Sequence, residues 1–467
     1  MRALAVGLAI CIGCGPNTHG HNNGEDGNTH TGPDACSGLQ CQVVNCQAMG
    51  MPPTTITGTV FAPNGTLPLY GINVYVPNSD PGPMPSGLTC NQCTDALPGS
   101  PIGMPVQTIE DGTFTLPNMP SGANIPLVIT TGKWRRIINV PAVSQCGTTT
   151  VPTTDTTLPK SANDATPNTK MCGSGPCVDM PKIAITTGSA DSLECLVRRL
   201  GIADSEITNN SGSGHVHLYN GNGVTKFDTT FMNGQGGANI ASATPFWGGQ
   251  SGTPDTLASY DIVMLSCEGG QNPFTKPQAA ITAMKTYADA GGRVFASHWH
   301  NVWIGGGFVT FNIPAANAAW APIATWQDSG DPGTPDLIDE VNNPKGPSFA
   351  TWMMNVMGST TRDQIAIQGG TDRSTCTAVD NTKAERWTYT GASPATKSPQ
   401  NFQFTTPIEN PTTSRCGKVV FSDMHVSGGP SGSNYPTSCG ATLTLSPQEK
   451  ALAFMFFDIA SCVSNIP

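Results

Sequence analysis

The chain has 467 residues, enough for two or three cores; only 12% are charged, while Gly (53) and Pro (40) are abundant. Its surface is therefore polar through Ser, Thr, Asn and Gln, with many turns. A formal net charge of −10, with no basic cluster beyond Arg135-Arg136 or Arg198-Arg199, argues against nucleic acid, whose phosphates demand a basic face.

The N-terminus, MRALAVGLAICIGCGPNTHG, sets Arg2 before about ten apolar residues and then small ones. That run is too short to span a bilayer and has the layout of a secretory signal. Cys14, directly after Ile12-Gly13, resembles the lipobox of bacterial lipoproteins, in which that cysteine is acylated; Cys11 stands where that box usually has Leu. The resemblance implies a signal peptide and lipobox over 1–14, lipidation at Cys14, and stable anchoring in the membrane of the cell envelope, facing the periplasm or the cell surface. No other run reaches 18 apolar residues. Setting aside Cys11 and Cys14, 14 of the 16 cysteines remain, many in Gly/Pro/Thr-rich loops where an oxidising compartment pairs them. Cys90-Asn-Gln-Cys93 has the spacing of a redox or zinc half-site. It lacks a preceding strand and a second CxxC, so one or two structural disulfides are expected there.

Residues 15–52 are His/Asn/Gly/Thr-rich and read as a cysteine-containing tether; His19, His21 and His30 fall in this solvated stretch. From 53 to 150 the pattern alternates with period two. TTITGTV, INVYVPN, EDGTFTL, IPLVIT and KWRRIINVPA read as strands, separated by turns at Asn64-Gly65 and Asp111-Gly112. No helical stripe interrupts them, so an antiparallel β-sandwich is expected. The ordered motifs I-x-G-x-V, PL-x-G-x-x-V-x-V, DG-x-F-x-L and P-x-G resemble the carboxypeptidase regulatory-like, transthyretin-type domain. That resemblance implies a spacer or adhesion-type module without catalytic residues. Residues 151–180 read as a linker, with Cys172 and Cys177 closing a local loop.

From 181 to 467 strands alternate with helices. IAITT, YDIVMLS, RVFASH and GKVVFSDMH are apolar on both faces. Between them come a helix from about Leu193, capped by Asp191 or Ser192, a helix in KPQAAITAMKTYADA, and a closing helix with a Ser446/Glu449 capping box. Such strands imply a mainly parallel, flavodoxin-like α/β sheet. The chain is thus expected to be multidomain, α/β plus all-β, with a β-rich insertion at about 311–414. L-x-x-YDIVMLS-x-x-GG, MKTYADAGGRVFASH and KVVFSDMHVS are similar to the class I glutamine-amidotransferase-like superfamily, most closely its trehalose-utilisation (ThuA-like) branch. That similarity speaks to fold and little to activity.

Ligands of such sheets bind beyond the carboxyl ends of the strands. The four ends offer Gly188, Ser189 and Asp191; Ser266, Cys267 and Glu268; Ser297, His298 and His300; and Asp423 and His425. With eight histidines in the whole chain, that convergence defines the candidate site. One reading makes Cys267 or Ser297 a nucleophile with a histidine, His298 or His425, as base. Amidotransferases carry their nucleophilic cysteine on a Gly-x-Cys-x-Gly elbow, where this chain has FASHW, so glutamine hydrolysis by that mechanism is not expected. A second reading is a zinc site of His298, His300, Asp423 and His425, since i,i+2 pairs on an extended segment share a face, with Glu268 as base. A third is a binding pocket in which Trp299, Trp303, Trp320 and Trp326 stack on a glycan or a peptide of another envelope component. The leading expectation is an exported, lipid-anchored envelope protein with a ligand-binding or structural role, its rival a hydrolase or metal-dependent enzyme. His215 and His217 are expected to face solvent on an edge strand.

Overall fold

The computed structural model describes residues 36–466 except 232, 249–253, 308–313, 331–332, 369–370, 372, 392–397 and 429–431. Cys14 and the N-terminal histidines therefore lie outside the described residues. The alternating segments of the first half fold as two facing sheets. Thr113–Pro117, Thr55–Thr59 and Thr148–Thr150 make one of them. The other runs Val178–Asp179, Trp134–Val143, Gly122–Thr131, Asn73–Tyr75, Val106–Gln107. Period two places Phe114 and Leu116 inside while Thr115 and Pro117 face out. Pairing is antiparallel as expected, apart from the parallel contact of Thr55–Thr59 with Thr148–Thr150.

The second half is built on β1 (Ile183–Thr187), β2 (Val216–Asn220), β3 (Ile262–Leu265), β4 (Arg293–Ser297) and β5 (Gly417–Ser422). They are parallel and lie in the order β2-β1-β3-β4-β5, which is the flavodoxin-like arrangement. Every residue of β1, β3, β4 and β5 is buried, because both faces of a parallel sheet are covered. The helices are α1 (Leu193–Arg199), α2 (Gln278–Asp289) and α3 (Pro447–Ala460). The Ser446/Glu449 capping box is formed. The cap expected on α1 is not: Ser192 occupies the N-cap without a side-chain bond, and Asp191 turns instead to the backbone N–H of Val426. The insertion continues the same sheet antiparallel from β5, through Ser398–Thr406, Glu385–Thr390, Asp336–Ile338 and Gln364–Ile365.

His217 departs from expectation. A short strand, Ile207–Asn209, covers β2, so β2 is not an edge. His217 is buried with Nδ1 2.7 Å from the Tyr260 hydroxyl. His215, half-buried, pairs with Glu206 at 2.7 Å.

The two halves share one apolar cluster, from Ile56 to Phe457, and residues Gly38–Pro467 form one compact unit. Trp134 of the sandwich packs on Phe457 and Phe456 of α3, centroids 5.6 and 6.1 Å away. Cys90–Cys416 and Cys93–Cys462 sew the loop after the first strands to the α/β half, so the CxxC is a pair of structural disulfides. Cys46–Cys146, Cys172–Cys177 and Cys195–Cys439 are also bonded.

Candidate functional site

Order β2-β1-β3 reverses direction at β1, and beside that reversal the strand ends gather. β4 stops at Ser297, and His298 takes a left-handed backbone, φ +44°, that starts a 3-10 turn over His298–Asn301. A non-glycine residue pays of order 1 kcal/mol for that conformation. The turn ends the extended geometry on which an i,i+2 pair would share a face, and the two rings part.

His298 points to the neighbouring strand ends. Its Nδ1 lies 3.2 Å from Cys267 Sγ, and its ring centroid is 5.0 Å from that of His425. One donor atom from each of Cys267, His298 and His425 lies within 4.8 Å of the others. All three are sealed, at 0%, 3% and 3% exposure. Burial pushes the Cys267 thiol up to about 12. Burial, then the charges of His425 and Arg373, pushes His298 down to about 2; burial and Arg373 bring His425 to about 3. The three groups are therefore a neutral thiol and two neutral imidazoles. His425 Nε2 is buried with no hydrogen-bond partner.

His300 goes elsewhere. Its Nε2 lies 2.9 Å from the Ser266 carbonyl oxygen and its Nδ1 accepts the Trp303 indole N–H at 2.9 Å. A carbonyl only accepts and an indole only donates, so His300 is the Nε2–H tautomer with no lone pair to spare. It is a core histidine, not a ligand. Asp423 is likewise engaged: it accepts from Thr375 N at 2.9 Å, Thr375 Oγ1 at 2.8 Å and Cys376 N at 3.3 Å, and burial raises it to about 7. Of His298, His300, Asp423 and His425, the structure brings only His298 and His425 together, with Cys267 beside them.

The catalytic candidates divide in the same way. Glu268 accepts from Lys276 Nζ and Asn272 Nδ2, both at 2.8 Å. Burial favours its neutral form, but His300 and Lys276 outweigh that and hold it below its usual value. Lys276, buried, also lies 5.0 Å over the Trp247 ring. Ser297 Oγ is buried facing the Asp191 carboxylate, and no imidazole bonds to it. Of the four tryptophans, Trp303 is buried 5.3 Å from Trp247 and Trp320 5.2 Å from Phe404; these rings belong to the core. Trp299 stays half-buried beside His298 at 4.8 Å.

Three features escaped sequence reading. Arg373, in the insertion, brings its charge to both His298 and His425. Thr375 and Cys376 claim Asp423. Gly188 allows the loop after β1 to close on Cys267: a Cβ there would stand 2.1 Å from the Cys267 carbonyl oxygen, and Ala190 N donates to that same oxygen at 3.1 Å. Nothing in DRSTC or TTGSAD signals these contacts, since each partner is distant in sequence.

No protein-family model matches the chain, and no curated protein matches it. Among solved structures it is similar to a cytoplasmic protein of Salmonella typhimurium, at 12% identity and a TM-score of 0.30, over 60% of this chain and 99% of the other.

Proposed function

We propose that this is an exported envelope protein, tethered through Cys14, whose α/β half binds one zinc ion through Cys267, His298 and His425. The observation that carries the reading is the convergence of a thiol and two imidazoles, from three neighbouring strand ends, within 4.8 Å. Zn–S and Zn–N bonds of about 2.3 and 2.0 Å put tetrahedral donors roughly 3.3–3.7 Å apart, which side-chain rotations reach from here. A thiolate with two imidazoles suits zinc or a chemically similar ion, not magnesium or calcium. Three protein donors leave a fourth position for water or a substrate atom, the layout of catalytic zinc. Support comes also from the redox state. Twelve cysteines of the described residues are disulfide-bonded, as in an oxidising compartment, whereas Cys267, like the buried Cys376, remains a free thiol. The ThuA-like and lipoprotein resemblances fit this reading but do not carry it.

A Cys267–His298 nucleophilic dyad is the weaker reading despite its 3.2 Å contact. With the thiol near 12 and the imidazole near 2, proton transfer between them is far uphill. A bound cation removes that obstacle, because it stabilises the thiolate and needs neutral imidazoles. The test is metal analysis of full-length protein isolated from its native envelope without chelators. About one zinc per chain is expected, and Co2+ should give a thiolate-to-cobalt charge-transfer band that Cys267→Ser and His425→Ala abolish. Chelator-free protein with no metal, and no cobalt band on titration, would refute the proposal.

A further inference from the structure

The loop after β1 carries Asp191, a buried carboxylate that the zinc reading leaves unused. Its Oδ1 accepts from Val426 N at 2.7 Å and Ser192 N at 2.8 Å, while Oδ2 is buried and the Ser297 hydroxyl faces the carboxylate. Val426 follows His425 directly. On the other side, Ala190 N holds the Cys267 carbonyl at 3.1 Å, and the Cys267 peptide also borders the Asp191 carboxylate. The loop thus braces the backbone at two of the three proposed donors, through Asp191 at the residue after His425 and through Ala190 at Cys267.

Resting on the zinc reading, we propose that Asp191 is the positioning residue that makes this site selective for divalent over monovalent ions. A divalent ion held by one thiolate and two neutral imidazoles retains one unit of positive charge in a dry interior, where uncompensated charge is costly. The Asp191 carboxylate cancels it. A monovalent soft ion is already neutralised by the thiolate, so the same carboxylate leaves that complex with a net negative charge. The other charged groups facing the cluster come in opposite signs, Arg373 with Asp423 and Lys276 with Glu268. Outer carboxylates of this kind also fix ligand orientation, and their loss typically weakens metal binding about 10–100-fold.

The experiment titrates full-length wild type, Asp191→Asn and Asp191→Glu with Co2+ and, separately, with Ag+, following circular dichroism in parallel. Asparagine retains an oxygen acceptor for Val426 and Ser192 but not the charge. Expected for Asp191→Asn is a Co2+ affinity lower by about 10–100-fold with an Ag+ affinity unchanged or higher, whereas Asp191→Glu retains the Co2+ preference. Equal loss of both ions, or loss of neither, would overturn the selectivity role and leave the zinc site standing. Absence of a cobalt band in wild type would instead fell the zinc reading itself. Should Asp191→Asn not fold, Asp191→Glu carries the test: a folded, still-charged variant that binds Ag+ but has lost its preference for Co2+ overturns the proposal.

Discussion

The seam between the sandwich and the α/β half and the strand-end site both bury polar groups, but they treat them in opposite ways. At the seam the charges are paired: Lys133 with Asp261 at 2.6 Å, and Lys418 with Asp458 at 3.1 Å. Arg293 donates to the carbonyls of Gly291, Cys416 and Ser461, and the cysteines there are bonded. At the strand ends Cys267 is a free thiol, and His425 Nε2 is buried without a hydrogen bond. Buried polar atoms without partners cost about 1–3 kcal/mol each. The zinc ion proposed above would engage both groups, Cys267 and His425.

That contrast breaks if the seam proves dispensable for stability or necessary for metal binding. Removing the Cys90–Cys416 bridge by replacing both cysteines with serine should cost about 3–5 kcal/mol, read by denaturant unfolding, with Co2+ binding intact. Trp134→Ala, which empties the contact with α3, should cost about 3–5 kcal/mol by the same measurement and again spare the metal. Cys267→Ser is the mirror case: loss of Co2+ affinity by about 100-fold or more, with the melting transition little changed.

Acid sharpens the comparison inside the site region. His300 is buried, and burial first of all brings it down from 6.5 to about 4. Its folded form therefore binds fewer protons than the unfolded chain between those values. The stability it contributes is present above pH 6.5 and is lost as pH falls toward 4, at about 1.4 kcal/mol per pH unit, or roughly 3 kcal/mol in all. Unfolding followed from pH 7 to 4 should depend less steeply on pH in His300→Gln than in wild type, by about this amount. The smallest effect concerns Glu194, whose carboxyl burial raises to about 8. Glu194→Gln should leave stability at pH 7 unchanged or higher by about 1 kcal/mol. A loss would mean that the contact of this neutral carboxyl group with Ser266 contributes more than its burial costs.

Much of the fold was legible in the sequence. Period-two alternation marked the sandwich strands, unbroken apolar runs marked β1, β3, β4 and β5, and Ser446 with Glu449 marked the start of α3. The strand-end site was legible as a neighbourhood, because parallel strands deliver their carboxyl ends to one edge. Its membership was not. The i,i+2 spacing suggested His300 as a partner of His298, yet the left-handed turn at His298 sends the rings apart. Asp423 was a plausible ligand until residues from the insertion claimed it, and β2 read as an edge until Ile207–Asn209 covered it.

What the sequence alone determined is local: which segments extend, which coil, and which thiols and imidazoles stand at strand ends, since backbone period and capping depend on near neighbours. Only the tertiary structure decided which of those groups remain free. Hydrogen-bond partners such as Trp303 for His300, Thr375 for Asp423 and Val426 for Asp191 are set by the packing of distant segments. A side chain's capacity to bind a ligand is whatever that packing leaves unsatisfied.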